Sequence, residues 1–304
     1  MFGFINLNKP VGFTSNDCVA KLRKLLNTKK IGHGGTLDPA ATGVLPIAVG
    51  KATRLLQFLP EPKAYRARIR LGVTTDTDDL EGKVIQSVEK VDLDAVQIID
   101  RLNTFLGTIE QVPPIYSAIK RNGKKLYELA RKGEEIAVEP RTIHISKIEL
   151  IGVDIADFYE LEVDIECSPG TYIRAIARDL GKMLGVGGTL ASLIRTESCG
   201  MSLNNSITFE RIESQIAQGT FALVEPSYVL RDSSSVTLTP ESAKLWGQGQ
   251  LVDLSQAVFS HKIPALEQNS HIVTYQENRT FLGISILFER NDILKIKPKI
   301  VCNT

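Results

Sequence analysis

The sharpest alternation of apolar and polar positions lies at residues 64–72. Tyr65, Ala67, Ile69 and Leu71 fall on one face of a predicted strand, and Arg66, Arg68 and Arg70 on the other. A second strand of the same kind runs from Tyr159 to Cys167, setting Leu161, Val163, Ile165 and Cys167 against Glu160, Glu162, Asp164 and Glu166. Phe4 to Leu7 and Val44 to Val49 read as shorter, more uniformly apolar strands. Helical spacing takes over at Val19, Leu22 and Leu26 within residues 16–27, where Thr14 or Ser15 supplies the cap. Further helices are predicted over Lys51 to Leu59, ended by Pro60 and Pro62, near 92–105, and through Ile176, Leu180 and Leu184 up to Gly185. Thr171 to Arg174 is expected to be extended, which would send Tyr172 and Arg174 to the same side.

The connecting segments are equally patterned. Residues 73–82 form a polar turn whose three aspartates lack the spacing and closing glutamate of a calcium loop, so a solvated loop is expected. Val112 to Ala118 reads as extended. Lys120, Arg121, Lys124, Lys125, Arg131 and Lys132 then form a basic cluster with Glu128 as its one acid, suited to gripping an RNA backbone at the cost of salt sensitivity. Residues 226–240 are rich in Ser, Thr and Pro and look like a linker. With 304 residues, two domains are expected, a large one followed by a small one.

Charge adds a direction to this picture. The formal net charge is only +1, but residues 1–70 hold twelve Lys and Arg against three Asp and Glu, while residues 71–110 hold three against nine. Such segregation can present a basic face to phosphates on a nearly neutral molecule. The four cysteines, Cys18, Cys167, Cys199 and Cys302, contain no C-x-x-C pair, and the histidines show no ligand spacing, so neither a disulfide framework nor a metal is expected. No apolar run nears the ~20 residues of a membrane span, and a soluble, cytoplasmic, monomeric protein is expected.

The candidate chemistry sits in Gly32-His33-Gly34-Gly35-Thr36-Leu37-Asp38-Pro39-Ala40-Ala41-Thr42-Gly43-Val44-Leu45-Pro46. Four glycines permit positive φ and close backbone approach, Pro39 stiffens the turn, and Asp38 stands with no second carboxylate beside it. A carboxylate held this way can act as nucleophile, base or charge stabiliser, or simply cap a turn. The stretch resembles the second motif of the TruB family of bacterial tRNA pseudouridine-55 synthases, matching its G-H-x-G-x-L-D-P-x-A-x-G-x-L-P pattern at ten fixed positions. The resemblance extends to Asn8-Lys9-Pro10-Val11-Gly12-Phe13-Thr14-Ser15, to Lys63-Ala64-Tyr65-Arg66-Ala67 and to Ser168-Pro169-Gly170-Thr171-Tyr172-Ile173-Arg174.

That resemblance implies an α+β fold: a mixed, largely antiparallel central sheet with flanking helices, followed by a small C-terminal PUA-like β-barrel. It divides the chain into a catalytic domain over 1–225, with an RNA-gripping insertion near 112–135, the linker at 226–240 and the RNA-binding module over 241–304, entered through Trp246 to Val252. It makes Asp38 the catalytic residue, paired with Arg174, which orients a carboxylate and favours its charged form. Tyr65 is placed against the target base, although periodicity alone makes it the first residue of a core stripe. His33 is placed where the flipped base leaves space, or else it bonds within its own loop. Tyr172 walls the pocket. Lys9 either packs by the loop or contacts phosphate, and Lys120, Lys124 and Lys125 grip the RNA. The implied partner is the T-arm of tRNA, whose uridine is isomerised with no cofactor because product and substrate are isomers. A non-catalytic tRNA-folding module, or a synthase acting on other RNAs, are the alternatives.

Overall fold

The computed structural model describes residues 1–117, 119–121, 123–126, 129, 137–254, 257–259, 270–290 and 293–302. Strand β1 (Gly3–Lys9) leads into helix α1 (Ser15–Leu25), strands β2 (Ile31–His33) and β3 (Thr42–Val49), and a 3-10 helix over Gly50–Phe58. Strands β4 (Lys63–Leu71), β5 (Val73–Thr75) and β6 (Val84–Ser87), helix α2 (Ala95–Asn103) and strand β7 (Gly107–Gln111) follow. A two-residue hairpin, β8 (Lys120–Arg121) and β9 (Lys124–Lys125), precedes the long strands β10 (Arg141–Asp154) and β11 (Glu160–Cys167). Then come helix α3 (Ile173–Met183), strands β12 (Gly188–Ser198) and β13 (Met201–Ser202), and helix α4 (Phe209–Ala217).

A nine-stranded sheet runs β1-β3-β12-β4-β11-β10-β7, with β2 added on β3 and β13 on β12. Its pairings are antiparallel except for a short parallel contact between β12 and β3, where Ile194 meets Thr42 and Arg195 meets Gly43. The fold is the expected mixed, largely antiparallel sheet with flanking helices. The alternation in β4 fixes which face is buried: Tyr65, Ala67, Ile69 and Leu71 enter the core with Leu161, Val163 and Ile165 of β11, and with Ile176 and Leu180 of α3 above them. On the other face Arg66, Arg68 and Arg70 stand opposite Asp164, Glu162 and Glu160. Arg66 forks onto Asp164 at 2.8 and 2.9 Å, and Arg70 onto Glu160 at 2.9 and 2.8 Å. Three of the twelve N-terminal cations are thus neutralised across strands.

The C-terminal part is strand-rich. Strand β14 (Ser235–Leu238), helix α6 (Pro240–Gly247), which follows the short helix α5 (Pro226–Val229), and strands β15 (Val252–Asp253), β16 (Ala257–Phe259), β17 (His271–Gln276), β18 (Phe281–Arg290) and β19 (Ile293–Val301) build a second sheet. Its order is β15-β19-β18-β17-β14-β16. The stretch 226–240, read as a linker, therefore carries a helix and a paired strand. Val229 and Leu230 are buried together with Phe4, Val44 and Leu55 of the large sheet's side and Val273, Phe281 and Ile284 of the second sheet. Trp246 belongs to the last turn of α6 rather than to a strand entry; it is fully buried and donates from Nε1 to Ser285 Oγ at 2.8 Å. No helix among the described residues is long and apolar enough to cross a membrane.

Candidate active site

The Asp38 loop joins β2 to β3 and is pinned from three directions. Gly35 (φ +141°) and Gly43 (φ +98°) adopt backbone that L side chains rarely reach, and a Cβ on Gly43 would stand 2.3 Å from the Arg195 carbonyl oxygen. Ser15, the first residue of α1, receives the Leu37 N–H on its Oγ at 2.9 Å. Lys9, at the end of β1, is 0% exposed and donates from Nζ to the carbonyls of Pro10, Phe13 and Pro39 at 2.9, 2.6 and 3.1 Å. With its three donors so occupied, Lys9 packs beneath the loop and has none left for a phosphate. Burial pulls its pKa down, although the charge of Asp38 works against that.

Arg195, from β12, completes the clamp. Its side chain is 0% exposed, and it donates to the carbonyls of Val44 (2.7 Å), Thr36 (3.3 Å) and Gly35 (3.1 Å). No described carboxylate lies within ion-pair distance of it. Its other polar partner is the Tyr65 phenol, so this buried charge is left without a counter-ion, which makes it a poor choice for stability alone. Nothing in the sequence around Arg195 singles it out. Its position opposite Gly43 and Tyr65 emerges only from the register of β12 with β3 and β4.

Arg174 brings Asp38 its partner. Tyr172 is the N-cap of α3, so the chain turns helical at Ile173 instead of staying extended. The Tyr172 backbone is held by the buried Gln111 amide, which accepts the N–H at 2.9 Å and donates to the carbonyl at 3.1 Å. Arg174, on the first turn of α3, places Nη2 3.0 Å from Asp38 Oδ2. The same guanidinium donates to Asp79 Oδ2 and to Thr77 O, each at 3.2 Å, and to Tyr116 O at 3.0 Å. Its side chain is 10% exposed, whereas that of Asp38 is 48% exposed, so the cation is buried and the carboxylate faces solvent. One turn on, Arg178 pairs with Asp78 at 2.9 Å and with the Val112 carbonyl at 2.8 Å. The acidic turn at 73–82 is thus no solvated loop. Burial raises the Asp78 pKa against the pull of Arg178, and two of the turn's aspartates tie it to α3.

Tyr65 is 8% exposed and belongs to the same buried cluster as Leu37 and Ala41 of the aspartate loop and Ile173 of α3. Burial raises the pKa of the Tyr65 and Tyr172 phenols, opposed by Arg195 at the first and by Ser117 at the second, and the charge of Asp38 reaches both. His33 is half-buried and accepts the Gly35 N–H on Nδ1 at 3.4 Å. Burial and the nearby Arg195 lower its pKa. The side chains of Lys120, Lys124 and Lys125, and all of Arg131 and Lys132, lie outside the described residues; the backbone there pairs Lys120 with Lys125. Among the described residues no group of three His, Cys, Asp or Glu is placed to hold a metal ion.

Residues 23–173 match the TruB family pseudouridylate synthase N-terminal domain. A relative in Gloeothece citriformis, tRNA pseudouridine synthase B, is 54% identical over 284 residues, covering 93% of this chain and 90% of that protein. The protein of the same name in Microcystis aeruginosa is 50% identical over 302 residues, 99% of each chain. The chain belongs to the TruB family of pseudouridylate synthases. As a member it is an isomerase, and the Asp38 loop lies within the matched region. Two solved structures share the fold. An H/ACA RNP bound to a substrate RNA containing 2′-deoxyuridine aligns at a TM-score of 0.77 with 23% identity, over 99% of this chain and 86% of that one. A Cbf5-Nop10-Gar1 complex aligns at 0.75 with 24% identity, over 99% and 84%. What the motif reading missed is the support: Asp79, Asp78, Arg178, Gln111 and Arg195 carry no local signal, because each meets its partner through pairings far apart in the chain.

Proposed function

We propose that this TruB-family enzyme isomerises uridine 55 in the T-loop of tRNA to pseudouridine, with Asp38 as the catalytic residue. The observation that carries the reading is the asymmetric pair at the loop: a buried Arg174 fixing one oxygen of a carboxylate that is otherwise open to an incoming nucleotide. The names of the full-length relatives support tRNA as the substrate class. The target uridine leaves its stack, at a cost of a few kcal/mol, and its uracil rests against Tyr65 with Tyr172 at its flank. Asp38 acts on the nucleoside, the N1 to C1′ bond breaks, the uracil turns, C5 bonds to C1′, the C5 proton passes to solvent and N1 takes up a proton in its place. Atoms balance without a co-reactant. Arg174 holds the carboxylate's position through these steps, which is the kind of preorganisation that lowers a barrier. His33 props the loop or fills the vacated stack, and the basic hairpin at 120–125, with the C-terminal sheet, grips the T-arm of a tRNA bound to one protein monomer in the cytoplasm.

The test is tritium release from C5-labelled uridine in a T-arm RNA. The parent enzyme is expected to release label from position 55 alone, and Asp38→Asn to bind the RNA and release none. Binding without release by the parent would instead favour a tRNA-folding module, and release from several positions a synthase of broader substrate range.

A further inference from the structure

Lys63 is a cation beside the active-site loop that the reaction above leaves without a task. It opens β4 two residues before Tyr65, so both side chains leave the strand on the same face, about 6–7 Å apart along it. The sheet sets it between Cys167 and Ser198. Its ammonium reaches the glycine turn of the aspartate loop: a Cβ built on Gly35 would lie 3.5 Å from Lys63 Nζ and 3.6 Å from Arg195 Nη1. Lys63 is half-buried, and its ammonium makes no hydrogen bond or ion pair with any described residue. The charge of Glu61 is the smallest of the influences acting on it.

Two cations therefore flank one turn with no carboxylate between them. Burial, and after it the charge of Arg195, pull the Lys63 pKa down. Arg195 has committed bonds to three carbonyls, so it contributes field, whereas Lys63 keeps its donors free. An ammonium with free donors beside the aspartate loop suits the oxygens of a phosphate, which takes a point charge from several directions. A nucleotide whose base lies against Tyr65 carries its own phosphates toward one end of the same strand face.

We propose that Lys63, backed by the field of Arg195, binds a phosphodiester of the nucleotide that enters the site. The assignment rests on the RNA-isomerase reading above and adds a specific ligand to it. Binding of a T-arm hairpin is measured with the full-length protein across a salt series, with a normal or an uncharged methylphosphonate linkage on each side of the target uridine in turn. Lys63→Met is expected to weaken binding about ten-fold, to lower the slope of log affinity against log salt by about 0.7, and to leave the saturated rate near that of the parent. Lys63→Arg should restore binding. At one of the two linkages the methylphosphonate should weaken the parent to a similar degree and Lys63→Met no further. Losses that add fully at both linkages, or a Lys63→Met protein that binds as the parent does, would overturn the assignment alone. A parent enzyme that neither binds nor isomerises the hairpin would overturn the functional reading together with it. Unchanged thermal unfolding of Lys63→Met guards against a folding defect.

Discussion

At the scale of single residues, the site turns on how Arg174 divides its two terminal nitrogens among four oxygens, of which Asp38 Oδ2 alone belongs to a solvent-facing group. Removing the guanidinium strands Asp79, whose side chain is 14% exposed. Arg174→Met is therefore expected to cost on the order of 3 kcal/mol in urea denaturation and to abolish isomerisation. Arg174→Lys should keep most of the stability yet lose more than ten-fold in rate, because one ammonium cannot span four acceptors. His33 gives a pH test. Its folded pKa lies below the ordinary 6.5, so above that pH it is neutral whether folded or not. As pH falls below 6.5 the unfolded chain takes up the proton first, and stability drops until the folded pKa is passed. Denaturant midpoints at pH 7 and pH 5 should show this drop, and His33→Gln should shrink it. Asp38 and Arg174 were legible because a motif with ten fixed positions named one and a short downstream motif the other. Arg195 and Asp79 were not, since an isolated arginine in a strand and an aspartate in a polar turn look like surface residues until strand register and helix docking bury them.

Elements decide whether those residues meet. Helix α3 carries Arg174 and Arg178, and it docks on the start of β12 by backbone contact: a Cβ on Gly181 would lie 2.1 Å from the Gly188 nitrogen. Gly181→Ala must push the helix away from the sheet. The expected result is a loss of isomerisation greater than the loss of RNA affinity, with a fall in melting temperature, readable from single-turnover rates beside binding curves. The strand faces of β4 and β11 followed directly from their period of two, and the α1 cap from Thr14, whose Oγ1 accepts from the Asp17 N–H while its own N–H donates to the Asp17 carboxylate. The step from Tyr172 to Arg174 did not follow. Sequence spacing placed them on one side of an extended segment, but the Gln111 amide holds Tyr172 as a helix cap.

For the whole molecule, the sequence suggested two units and a polar connection, yet one apolar cluster joins them. Phe4, Val44 and Leu55 share it with Val273, Phe281 and Ile284, and Phe2 lies 6.3 Å from Phe281, ring to ring. The Ser- and Thr-rich composition of 226–240 concealed this, because its few apolar residues, Val229 and Leu230 among them, are the ones buried. A single cooperative thermal transition is expected, and two well-separated transitions by calorimetry would contradict a shared core. The charge asymmetry read from sequence also needs reassignment: Arg66, Arg68 and Arg70 serve β11, and the RNA surface proposed above falls to the remaining cations, among them Lys63 and the exposed Lys24 of α1. Isomerisation of a nucleic-acid substrate by this surface should weaken steeply with salt through KM more than through kcat. The central claim is that the Asp38 carboxylate, fixed by Arg174, acts on the nucleoside. Single-turnover formation of pseudouridine in a T-arm RNA, measured for the parent and for Asp38→Asn with binding followed in parallel, tests it most directly. The account predicts a rate reduced to background with affinity held within a few-fold; an Asp38→Asn enzyme that forms pseudouridine at the parent rate would contradict it.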